Sequence, residues 1–132
     1  MSYQIEWLVE KQIVQATLAD ELAIDELHQL IAEIEHFLQQ AITPVHLIID
    51  TRFLESFPRG VQVHYAAFKP LRRECINWFL LVGENTLLQY LTSTISHLIG
   101  VKWRAYPDKS AAIEFLKQHD TNIEWDALKI LS

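Results

Sequence analysis

The sequence predicts an α/β protein in the order β-β-α-β-α-β-α-β-α. It reads as a mostly parallel five-stranded sheet with an antiparallel first strand, packed with about four helices. Three observations carry this. The runs VHLIID (45–50) and INWFLLVG (76–83) are nearly continuous in apolar residues, which suits strands covered on both faces. Amphipathic stretches with helical spacing separate the strand-like runs. Strands alternating with helices imply parallel pairing through right-handed crossovers.

Each element has its own signature. YQIEWLV (3–9) and QIVQATL (12–18) are short strands joined through Glu10 and Lys11, a hairpin, so the first strand runs antiparallel. Ile24, Leu27, Ile31, Ile34 and Leu38 then recur at spacings of three and four, with Leu30 and Phe37 widening the stripe. That predicts a helix from about Asp25 to Gln40, with acids in its first turn and Pro44 closing the connection. The apolar run 45–50 ends at Asp50, and the segment 51–60 reads as a loop. Val61, Tyr65 and Phe68 set the inward face of the next helix, which Pro70 stops near Phe68. After the strand 76–83, Leu88, Leu91, Ile95 and Leu98 define a helix over 85–99 that Gly100 ends. VKWRAY (101–106) alternates as a strand with one solvated face, and 108–119 is a last helix capped by Asp108 or Ser110. Leu47, Ile49, Trp78, Leu80 and Val82 are the expected central core.

Composition narrows the function classes. The chain has 132 residues, half of them hydrophobic and 21% charged, which fits one globular domain. Residues 1–119 read as that domain and 120–132 as an extension docked on it or on a partner, because Ile123, Trp125, Leu128, Ile130 and Leu131 are too apolar for a free tail. The net charge of −6 argues against a nucleic-acid partner. Lys69, Arg72 and Arg73 read as the cationic end of a helix. No secretory signal or membrane-length apolar run is present, so a cytoplasmic protein is expected. The lone Cys75 reads as a small buried residue.

HLIIDTRFLESF, FKPLRRECINWFLLVGENTLLQYLTSTISHLIG and VKWRAYPDKSAAIEFL together resemble a STAS domain, most closely its SpoIIAA-like branch. The resemblance spans about residues 3–119. It rests on a strand ending in Ile49-Asp50, an aromatic loop from Phe53 to Phe57, Val82-Gly83, the helix Leu87 to Leu98, and Ala112 to Leu116. It implies a regulatory, protein-binding role. In STAS antagonists of anti-sigma factors, a serine in a D-S-S-G-like loop at a helix N-terminus takes the phosphate. Here the loop reads ESFPRG, with Ser56 but without that run.

Ser56, and more weakly Thr51, are therefore candidate phosphoacceptors. Ser56 fits better as a cap for a helix that Pro58 begins, or as a plain loop residue, and Thr51 as a satisfied turn hydroxyl. Asp50, Ser56 and His64 lack a G-x-S-x-G elbow, and the six histidines contain no H-E-x-x-H, so no catalytic residue, metal site or cofactor is expected. Two readings remain. One is a non-enzymatic regulatory or interaction module using Phe57, Arg59, Val63, His64 and Ala67, without a working phosphoserine switch at Ser56. The other is a binder of an apolar small molecule or lipid in a pocket formed by Tyr65, Phe68, Leu88, Leu91 and Ile95. Val63 and Ala67 also suggest a homodimer contact closed by a two-fold axis.

Overall fold

The computed structural model describes residues 2–71 and 73–128. Arg72, Ile130 and Leu131, singled out above, lie outside the described residues. The strands β1 (Tyr3–Val9), β2 (Ile13–Glu21), β3 (Val45–Ser56), β4 (Ile76–Val82) and β5 (Lys102–Tyr106) form one sheet in sequential order. β1 is antiparallel to β2, and the remaining pairs are parallel. The helices are α1 (Ile24–Gln39), α2 (Val61–Phe68), α3 (Thr86–Ile99) and α4 (Lys109–His119), with single 3-10 turns at Arg73–Cys75 and Trp125–Ala127.

The apolar runs sit where their composition placed them. Leu47, Ile48, Leu80 and Val82 are fully buried and Ile49 nearly so. Trp78 is only half-buried, because β5 beside it is an edge strand. Alternation divides the sheet into two faces. One presents Val14, Ala16, Leu47, Ile49 and Phe79 to α1, α2 and α3 and builds the larger core. The other presents Ile13, Ile48, Leu80 and Val82 to α4 and to Ile123, with Trp125 and Leu128 packed alongside.

Local chemistry fixes the helix ends. Glu26 Oε1 accepts from the Ala23 amide at 3.0 Å at the start of α1. Asn85 caps α3 by accepting from the Leu88 amide at 3.0 Å, and Asp108 rather than Ser110 caps α4 through the Ala111 amide at 2.8 Å. Gly100 closes α3 in the left-handed conformation at φ 76°. α2 stops at Phe68, two residues before Pro70 as expected. Ile24 and Leu98, both assigned to buried stripes from sequence, are about half exposed; each sits in a terminal turn of its helix. In α3 the inward positions pass instead to Thr92 and Ser96.

Candidate functional site

The largest departure from the sequence reading is at the end of β3. The strand does not stop at Asp50. It runs to Ser56, because β2 is also long enough to pair there: Ala19 faces Phe53, Asp20 faces Leu54, and Glu21 faces Ser56. Two irregularities in register, with Asp20 at φ 60°, let this ribbon bend past the rest of the sheet. The predicted loop 51–60 shrinks to Phe57–Gly60.

This relocates both candidate phosphoacceptors. Thr51 is a buried strand residue whose hydroxyl donates to the Val82 carbonyl at 2.9 Å. It cannot meet a kinase, so that assignment is corrected. Gly83 follows directly, at φ +144°, and a Cβ there would stand 2.5 Å from Thr51 Oγ1. The strand end therefore needs glycine on two counts. Ser56 does not cap a helix: α2 begins at Val61 with Gly60 as its cap. Its carbonyl instead accepts from the Leu22 amide at 3.0 Å, closing the β2–β3 ribbon.

Asp50 and Arg52 form a clamp that the sequence reading missed. Strand alternation puts both on the α4 side of the sheet. Arg52 donates through Nε to Asp50 Oδ1 at 3.0 Å and through a terminal nitrogen to Oδ2 at 2.8 Å. Its backbone amide adds a third bond at 3.1 Å. The Asp50 carboxylate is buried, and that hydrogen bonding holds the Arg52 guanidinium above its usual pKa. The spacing of two was visible in DTR, but only a strand running past Asp50 gives it meaning.

The proposed recognition surface divides. Phe57 is half-buried with the Arg59 guanidinium 5.7 Å from its ring centre, and Arg59 itself is exposed. Phe53 is exposed with Arg52 5.3 Å from its ring centre. His64 and Ala67 are buried, so neither belongs to a surface. The inward face of α2 is His64, Ala67 and Phe68, one position round from the predicted Val61, Tyr65 and Phe68. A histidine was read as polar and outward. It turns in because its Nε2 donates to the Pro58 carbonyl at 2.6 Å, and burial pushes its pKa down. With Ala67 covered, the dimer patch proposed for Val63 and Ala67 does not exist; Val63 packs partly on the core.

A small apolar cavity lies between α1, α2, α3 and the sheet, where the sequence reading expected a ligand pocket. Phe68, Leu88, Leu91 and Ile95 line it, with Leu54, Phe57 and His64. Tyr65 does not, since it lies a full 100° round the helix from His64. The cavity is about 40 Å³, small beside the roughly 300–1,000 Å³ of pockets that hold drug-sized ligands.

The opposite face carries buried polar groups. His46 is buried with Nε2 2.8 Å from Asp120 Oδ2, and its Nδ1 has no partner. Burial pushes the His46 pKa down, against the pull of Asp120. Gln15 is buried too; it donates to Thr17 Oγ1 at 3.0 Å while its own oxygen is unpartnered. Among the described residues no group of three His, Cys, Asp or Glu is placed to hold a metal ion. Among the described residues no helix is long and apolar enough to cross a membrane.

The arrangement defines an open α/β sheet with one antiparallel edge and helices on both faces. That is the SpoIIAA-like fold, and solved structures share it. A Shewanella loihica PV-4 protein of the DUF3478 family, described as uncharacterized with a SpoIIAA-like fold, matches at TM-score 0.63 and 16% identity, over 86% of this chain and 91% of that one. The phosphorylated form of the Bacillus cell fate determinant SpoIIAA matches at 0.60 and 18%, over 86% and 98%. An anti-sigma factor antagonist from Mycobacterium paratuberculosis matches at 0.54 and 16%, over 87% and 92%. No protein-family model and no curated protein matches the chain.

Proposed function

We propose that this chain is a cytoplasmic, non-enzymatic regulatory module of the STAS type that docks a protein partner at the β3–α2 corner, without a working phosphoserine switch. The observation that carries this is the position of Ser56. It ends a paired strand, five residues before α2 begins, so its hydroxyl is separated from the free amides of a helix N-terminus that favour a phosphate. Pro58 removes one further amide from the turn, and Glu55 adds a repelling charge. The exposed Phe53 and the Arg59–Phe57 stack give the corner the aromatic and guanidinium character common at contact surfaces. Two of the solved structures that share the fold are of anti-sigma factor antagonist proteins, which supports a protein partner.

The apolar-ligand reading is second. Its support is the lining of the cavity, almost wholly apolar and in the expected place. Its weakness is volume: any lipid requires Phe57 and α2 to move outward. Native mass spectrometry of protein purified from its own cells separates the two. A bound apolar mass favours the pocket.

The docking reading is tested by placing a photocrosslinking amino acid at Phe53 and at Tyr90, and irradiating in extract of the source cell. A discrete protein adduct is expected from position 53 that Arg59→Glu abolishes. Equal adducts from both positions would count against the corner.

A further inference from the structure

The free edge of the sheet, at β5, carries an arrangement that the corner does not use. Lys102 and Arg104 project from the same side of β5 and converge on one ring. The Lys102 ammonium lies 4.7 Å and the Arg104 guanidinium 5.5 Å from the centre of Trp78. Trp78 is held in turn by Phe115, edge-on at 4.8 Å. Neither cation forms an ion pair among the described residues. Stacking holds both charges in place while leaving them unneutralised.

An open groove of about 360 Å³ runs along this edge, flanked by Ser93 and His97 of α3 and by Trp78, Trp103, Lys102 and Arg104. No carboxylate lines it, although the whole chain is −6. The backbone of β5 bonds only to β4 and to the Gly83 amide among the described residues. The groove thus combines an unpaired strand edge, two tryptophans and uncompensated positive charge.

We propose that the β5 edge binds an acidic, extended segment of a protein partner, which adds to the sheet as a sixth strand. Main-chain hydrogen bonds supply the pairing, and alternate acidic side chains reach Lys102 and Arg104. This surface lies at the far strand of the sheet from β1 and β2 and stands or falls independently of the β3–α2 corner. Basic residues on an edge strand also serve to repel other strands. In that case the edge rejects an acidic strand as it rejects any other.

The test uses a fluorescein-labelled alternating Glu-Val octapeptide as probe. Its anisotropy is titrated with the full chain, beside a Lys-Val octapeptide and a Glu-Val octapeptide N-methylated at every valine. The expected result is saturable binding of the Glu-Val peptide alone, weakened by salt. Lys102→Gln with Arg104→Gln should lower the affinity about ten-fold or more, whereas Arg59→Gln should leave it unchanged. Amide exchange at residues 102–106 should slow in the complex. Melting curves check that each variant is folded; Lys102→Glu alone, at an exposed position, serves if the double variant is not. Absence of saturable binding, binding indifferent to the Lys102 and Arg104 variants, or equal binding of the N-methylated peptide would overturn the proposal. The last result would leave simple anion attraction.

Discussion

The two faces of the sheet are built on different principles. The face under α1, α2 and α3 is a broad apolar core into which Thr51, His64, Thr92 and Ser96 also turn. The face under α4 is narrower and mixes aliphatic residues with buried Gln15, His46 and Asp50. Burial of apolar area is the main source of stability on the first face, with Thr51 and His64 each tied to one backbone carbonyl. The second depends on specific partners for groups that are costly to bury unpaired. Each face carries one buried histidine with a lowered pKa, His46 under α4 and His64 on α2, so both faces contribute to the pH dependence of stability.

The sharpest way to break this comparison is to hollow out the three-helix face. Leu47→Ala removes a fully buried side chain from β3 where it pairs with β2 and β4 on both sides. It should cost about 2–5 kcal/mol in urea melts. A loss of only a few tenths would mean that β3 is not central.

On the opposite face, removal of residues 121–132 uncovers the neighbours of Ile123. We expect a loss of about 2–3 kcal/mol, from the burial of Ile123 and part of Trp125. Unchanged melts and unchanged sedimentation would show that this extension is not docked on the domain.

Gly83→Ala probes the junction between the faces. The residue combines φ +144° with the Thr51 hydroxyl in the way of a new Cβ. A cost of about 1–3 kcal/mol is expected, and Thr51→Ala should relieve only the steric part. Full rescue by that second change would show that the backbone is unstrained.

The pH dependence draws on both faces. His46 has its pKa lowered in the folded chain, so the unfolded chain binds a proton first as pH falls below the ordinary histidine value of about 6.5. Stability from this group is complete above that value and declines as pH drops towards the folded pKa. His64 of α2, also lowered, adds a second contribution of the same sign. His46→Gln should flatten part of the slope, and a slope unchanged in His46→Gln would place the titration elsewhere.

Much of the fold was legible because the signals were redundant. The runs 45–50 and 76–82 are nearly continuous in apolar residues, and α1 and α3 have strong stripes with clear stops at Pro44 and Gly100. The corner was not legible for a physical reason. Beyond Asp50, the sequence TRFLES alternates weakly, and its strand character comes from pairing with Ala19, Asp20 and Glu21 across a bulge. Register between segments thirty residues apart is a tertiary property. His64 failed differently: its inward turn is set by a single backbone carbonyl, which no periodicity encodes. The Lys102 and Arg104 stack depended on β5 lying beside Trp78, and so on strand order.

The most direct test of the account is a phosphorylation map of the protein incubated with ATP and extract from its own cell. A strand-bound Ser56, away from the α2 N-terminus, predicts an intact mass without phosphate at that position. Stoichiometric phosphate on Ser56, with partner binding lost in Ser56→Asp, would contradict the central claim and make the corner a working switch.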